Sequence, residues 1–151
     1  MRFSLIASVA GLLALTQAAP TNSLDARGSD SVNDCGDSTF ENTTTDGSPL
    51  VDDCKTIADN ISGGGTWKVS TVGQQSTLVQ FGTCALGVQG HKTANTGYIG
   101  NQDIIDLINE SIAKYEWNGK VGAKGEMTCQ SDRGAMGEAD FTWGIYVNPY
   151  L

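Results

Sequence analysis

The chain holds one histidine, His91, and four cysteines, Cys35, Cys54, Cys84 and Cys129. A Ser-His-Asp or Cys-His nucleophile needs an imidazole base, and His91 is the single candidate. It stands beside Lys92 in a polar run without hydrophobic periodicity, the setting of an exposed loop histidine. With the cysteines expected in disulfides and no second histidine, neither a thiol nucleophile nor a His/Cys metal site is supported. Paired carboxylates could act as acid and base on a glycosidic bond, and Glu126, Glu138 and Asp140 are the candidates. Nothing near them supplies the apolar pocket that raises a carboxyl pKa, so they read as solvated surface acids. Asp52 and Asp53 match no calcium-loop spacing and suit the positive first turn of a helix. Gly63-Gly64-Gly65 follows a helical pattern and lacks the Lys-Ser/Thr of a phosphate cradle, so it is a turn. Trp67 and Trp143 fall on the apolar sides of their strands, while Trp117 is left open to stacking on a sugar ring. The expectation is a protein without catalytic, cofactor or metal residues.

These residues need a scaffold, and the hydrophobic spacing supplies one. Ser48-Pro49 opens a helix, with Leu50, Cys54, Ile57, Ala58 and Ile61 as its apolar stripe. Trp67, Val69 and Thr71 alternate with polar residues as a strand. Residues 78–89 are apolar or small on both faces, the pattern of one central strand. Residues 90–98 read as a loop. Asn101 caps a second helix whose wide face carries Ile104, Ile105, Leu107, Ile108, Ile112 and Tyr115. Alternating strands follow over 121–129 and 141–148, with a loop over 131–140. One-sided helices and alternating strands predict an α+β two-layer sandwich, an antiparallel sheet of about four strands with both helices on one face. Binding residues concentrate on polar loops of rigid scaffolds, so activity is expected in the loops 90–97 and 131–140.

The 151 residues are 39% hydrophobic and 17% charged, near the norm for one domain. Seventeen acids against nine bases give a net charge of −8, which disfavours nucleic acid and anionic lipid as partners. Residues 1–18 carry Arg2, then a short apolar run, then Thr16-Gln17-Ala18, the pattern of an export leader cut after Ala18. That run is too short to span a bilayer, and no later segment is apolar enough to do so. Residues 19–32 have almost no large apolar side chains and read as a flexible tail or pro-segment, with Arg27 as a weak processing signal. The folded domain is expected over 33–151. Asn42, Asn60 and Asn109 begin N-glycosylation sequons, and Asn42, in a Thr-rich loop, ranks first.

Four cysteines allow three pairings. We expect Cys54 with Cys84, which would rivet the first helix to a central strand, and Cys35 with Cys129, which would tie down an N-terminal segment anchored otherwise by Phe40. The main rival joins Cys84 to Cys129 as neighbouring strands.

Several motifs occur in order: Asn33-Asp34-Cys35-Gly36-Asp37, Asp53-Cys54, Gly65-Thr66-Trp67, Phe81-Gly82-Thr83-Cys84, Gly100-Asn101-Gln102-Asp103, Gly122-Ala123-Lys124-Gly125-Glu126-Met127-Thr128-Cys129 and Trp143-Gly144-Ile145-Tyr146. Together they resemble the fungal effector family named putative necrosis-inducing factor, relatives of a secreted apoplastic virulence protein. The resemblance implies a fungal source, secretion to medium or host apoplast, two disulfides, and a role in host cell death or antagonism to microbes, and it carries no catalytic residues. The element order is also similar to killer toxins with an α/β-sandwich build, and domains of this kind occur joined to killer-toxin-type chitinases. The expected function is a secreted, non-enzymatic effector acting on a host or microbial surface target. The alternative is a small secreted carbohydrate-binding or weakly glycan-hydrolysing protein.

Overall fold

The structure, a computed structural model, describes residues 31–91, 96–133 and 137–151. The expected leader, the tail through residue 30, Lys92 and the middles of both loops lie outside the described residues.

In chain order the elements are β1 (Cys35–Ser38), β2 (Glu41–Asn42), α1 (Val51–Asn60), β3 (Thr66–Ser70), β4 (Ser76–Phe81), β5 (Cys84–Gly90), β6 (Thr96–Gly100), α2 (Asn101–Tyr115), β7 (Ala123–Gln130) and β8 (Glu138–Val147). Every strand pairing is antiparallel. The main sheet runs β1-β7-β8-β5-β4, with β2 also on β7, and β3 pairs with β6 as a separate ribbon. This is the expected α+β sandwich, with six strands in its sheet instead of four.

Helices and ribbon form the second layer on one face. From α1 come Val51, Cys54 and Ile57, from α2 Ile104, Leu107 and Ile108, and from the sheet Leu86, Val88, Met127, Phe141, Trp143 and Ile145. All are nearly solvent-free, so each side chain removed from water contributes about 1.5–3 kcal/mol before entropy is charged against it. The ribbon approaches the sheet so closely that a Cβ on Gly97 would stand 2.4 Å from the Phe141 ring, and one on Gly90 2.2 Å from the Thr71 backbone. Any larger residue at either place would push the layers apart.

Several local expectations change. Residues 78–89 are a hairpin, β4 and β5, turning at Gly82, whose φ of +48° lies in the left-handed region that only glycine enters without strain. Apolar residues on both arms hid the turn. β5 does lie inside the sheet, between β8 and β4. Residues 96–98, the end of the expected loop, belong to β6, which pairs with β3 and whose period is masked by Gly97 and Gly100. The N-terminal strands β1 and β2 had no apolar alternation to betray them. α1 starts at Val51 behind Leu50, and the Ser48 hydroxyl instead accepts the Thr45 N–H at 2.9 Å. Gly100 stands in the cap position of α2, and Asn101 is its first residue. The Asn101 side chain accepts from the Val32 N–H at 2.9 Å and donates to the Ile61 carbonyl at 3.0 Å, fastening residues from two other segments.

Two disulfides cross these layers. Cys54 on α1 joins Cys84 on β5, and Cys35 on β1 joins Cys129 on β7, its register partner. Among the described residues no helix is long and apolar enough to cross a membrane.

Candidate binding face

Alternation along a strand sends neighbouring side chains to opposite faces, so core residues on β8 and β7 dictate what stands outside. Phe141, Trp143 and Ile145 turn inward, leaving Asp140, Thr142, Gly144 and Tyr146 on the outer face; Lys124, Glu126 and Thr128 occupy the same face of β7. Gln89 continues it on β5, opposite Thr142. Neither helix covers this face.

Two depressions meet there. The larger, about 700 Å³, has the backbone of Gly125 and Gly144 in its floor and Gln75, Gln89, Thr142 and Glu126 among its walls. At its rim Lys124 pairs with Glu41 at 3.2 Å, both well exposed, a contact that stabilises by less than about 1 kcal/mol. On the β5 side the Tyr146 and Thr77 hydroxyls bond to each other at 2.7 Å across Gly87. The second depression, about 370 Å³, shares Thr39 and Glu126 with the first and adds Asp37, His91, Thr128 and Asp140. The Thr128 hydroxyl donates to Asp140 at 2.8 Å, and the His91 N–H donates to the Asp140 carbonyl at 2.9 Å. His91 Nε2 is buried without a hydrogen-bond partner among the described residues.

His91, Glu126 and Asp140, weighed separately in the sequence, therefore share one cleft. Glu138 stands elsewhere, in a depression with Gln130 and Cys129. The two expected loops are tied together at their roots: Gly97 bridges Ser131, and the Asp132 N–H donates to the Thr96 carbonyl at 2.9 Å. Gln75, Gln89 and Thr142 were not singled out from the sequence. Their signal was the polar side of β8 and the end of β5, legible only once the hairpin and its register are known.

Asp52 is exposed in the first turn of α1, whereas Asp53 holds structure. The Asp53 carboxylate accepts from the Thr83 N–H at 2.7 Å and the Thr83 hydroxyl at 2.6 Å, and these bonds lower its pKa below the usual 3.8. Asp103 accepts three N–H groups, from Asp34 and Gly100 at 2.8 Å and Cys35 at 3.3 Å; burial nevertheless raises its pKa above 3.8. Among the described residues no group of three or more His, Cys, Asp or Glu is placed to hold a metal. Trp143 is buried and meets Phe40 edge-on at 5.1 Å, Trp67 is half-buried, and Trp117 is half exposed. Asn42, Asn60 and Asn109 are all exposed.

Comparison with known proteins agrees with the motif order. The chain is 44% identical over 121 residues to "Probable chitinase LysM18" of Penicillium expansum, covering 76% of this chain and 8% of that protein. It is 39% identical over 116 residues to "Secreted chitinase LysM12" of the same organism, covering 73% of this chain and 7% of that one. The chain thus spans less than a tenth of the length of these curated relatives. The family profile Hce2, described as "Pathogen effector; putative necrosis-inducing factor", matches residues 34–129, from the start of β1 nearly to the end of β7. With the matched segment taking in α1, α2 and all four cysteines, the chain belongs to this pathogen effector family.

Proposed function

We propose that the chain is exported, that its leader is cut after Ala18, and that the mature protein is a non-enzymatic effector. It provokes host cell death or antagonises competing microbes by binding a surface target with the outer face of its sheet. The observation that carries this reading is the family match across residues 34–129. Export is supported by the leader pattern, by four cysteines paired in two disulfides, and by a relative whose name calls it secreted. A binding role is supported by a polar face that the described residues leave uncovered, with two adjoining depressions. Asp53 and Asp103, whose ionisation their surroundings move, both serve backbone hydrogen bonds.

Purified mature protein should cause cell death on leaf infiltration or inhibit growth of a competing fungus. A Gln89→Ala/Glu126→Ala variant, altered only at exposed positions, should lose that effect while keeping its circular dichroism. Hydrolysis of chitin or glucan by the wild type would overturn the non-enzymatic reading.

The chitinase names of the relatives favour one second reading, a carbohydrate-binding module that acts beside a hydrolase. Saturable binding to insoluble chitin without cell death or growth inhibition would favour it over the first.

A further inference from the structure

Each sequon ends in a hydroxyl, and the structure separates the three by what that hydroxyl does. Thr44 Oγ1 lies 2.9 Å from the Tyr115 carbonyl and 3.1 Å from that of Gly122, and it accepts the Gly122 N–H at 3.0 Å. Ser62 Oγ donates to the Asp59 carbonyl at 2.8 Å where α1 ends. The fold accounts for both. Ser111 differs: it is fully buried on α2, and its Oγ has no hydrogen-bond partner among the described residues. A buried unpaired hydroxyl costs free energy, and alanine would remove that cost while favouring the helix. Packing of the described residues gives serine no advantage over alanine here.

Asn109 supplies a reason for serine. At 3.6 residues per turn, a step of two residues crosses to the other side of the helix. Ser111 accordingly points into the core while Asn109 is exposed, at the rim of a cleft of about 540 Å³ between α1 and α2. We infer that Asn109 is N-glycosylated during export and that Ser111 is kept as the hydroxyl the transferase reads. This rests on the export reading above. Asn109 Nδ2 forms the bond to the anomeric carbon of an N-acetylglucosamine carried on a lipid diphosphate. The anomeric C–O bond to the diphosphate breaks, the lipid diphosphate leaves, and the amide gives up one proton. Because Ser111 is closed off in the folded protein, transfer precedes the packing of α2 on the sheet. The glycan then covers the cleft beside Ile105 and Asp106 and leaves the outer sheet face bare.

The test is expression of the full chain with its own leader in a filamentous fungus. Protein recovered from the medium is mapped by mass spectrometry with and without peptide N-glycosidase. A glycopeptide containing Asn109, deamidated at that position after digestion, is expected. Asn109→Gln and Ser111→Ala should each lose this glycan, and deglycosylated Ser111→Ala should melt a few degrees above deglycosylated wild type. A secreted wild-type chain with unmodified Asn109 would overturn the inference and leave export standing. Retention of the glycan in Ser111→Ala, or a large drop in its melting temperature, would also overturn it, the latter by revealing a structural use for the hydroxyl. A chain that stays inside the cell unglycosylated would sink export and glycosylation together.

Discussion

Cys54 and Cys84 are wholly buried where Val51, Ile57, Leu86 and Val88 already pack, whereas Cys35 is half-buried on an edge strand of four residues that contributes little to the core. The first bridge closes a separation of 30 residues and the second one of 94. Loop-closure entropy alone ranks them by length, about 3.5 kcal/mol for the inner bridge and about 4.7 for the outer. Packing reverses that order. A bridge inside a core also fills space, while a bridge at an edge mainly fastens a segment that would otherwise fray.

The largest expected effect is therefore on Cys54→Ala/Cys84→Ala. Two voids at about 1 kcal/mol each add to the entropic loss, for about 5.5 kcal/mol in all, comparable to the whole stability of a small domain. Denaturant unfolding should show a global loss. Next comes Cys35→Ala/Cys129→Ala: about 4.7 kcal/mol of closure entropy and one void of about 1 kcal/mol at the buried Cys129 are offset by the freedom β1 gains in the folded state, which brings the net below that of the inner pair. Hydrogen exchange should show lost protection in residues 35–42 with β5 and β8 still protected. A larger global loss for this pair than for the inner one would break the comparison.

Asp103 sharpens it, because its carboxylate holds Asp34 and Cys35 of the same edge segment. Asp103→Ala should cost about 2 kcal/mol and expose β1 to exchange even with its disulfide intact. The two perturbed acids act oppositely with pH. Asp103 has its pKa raised by burial, so its contribution favours the fold below 3.8 and is lost as pH climbs through the folded value. Asp53 has its pKa lowered by Thr83, so its contribution is present above 3.8 and is lost as pH falls through the folded value. Melting temperature followed down from pH 5 should fall less steeply in Asp53→Asn than in wild type, and more steeply in Asp103→Asn. The smallest effect on stability belongs to the outer face: Glu126→Ala should shift it by less than about 0.5 kcal/mol, and a larger loss would mean that the face serves the fold.

The sequence was most legible where one residue type answered to one force. The stripes of α1 and α2 and the alternation of β7 and β8 were visible because burial on one side decides both. It was least legible where glycine intervened. Gly82, Gly97 and Gly100 carry no hydropathy signal, yet they turn the β4–β5 hairpin, admit β6 against Phe141 and precede α2. Capping misled for a related reason: Ser48 and Asn101 bond to backbone as cap residues do, but to Thr45, Val32 and Ile61, segments whose proximity no local pattern states. The binding face followed the same rule. His91 and Asp140 meet because β5 and β8 are neighbours, although about 50 residues separate them in the chain.

The pairing of β1 with β7 has a consequence for biosynthesis. A chain that emerges from its N-terminus presents Cys35 first and Cys129 last, so Cys35 waits as a free thiol while Cys54 and Cys84 arrive and find each other. During that wait its nearest available partners are the wrong ones, and a bridge to Cys54 would pull β1 towards α1, away from the edge it must cover. Thiol–disulfide exchange would release such a bridge once β7 has formed. Oxidative refolding of the reduced chain should therefore give more of the native pairing with a disulfide isomerase present than without one.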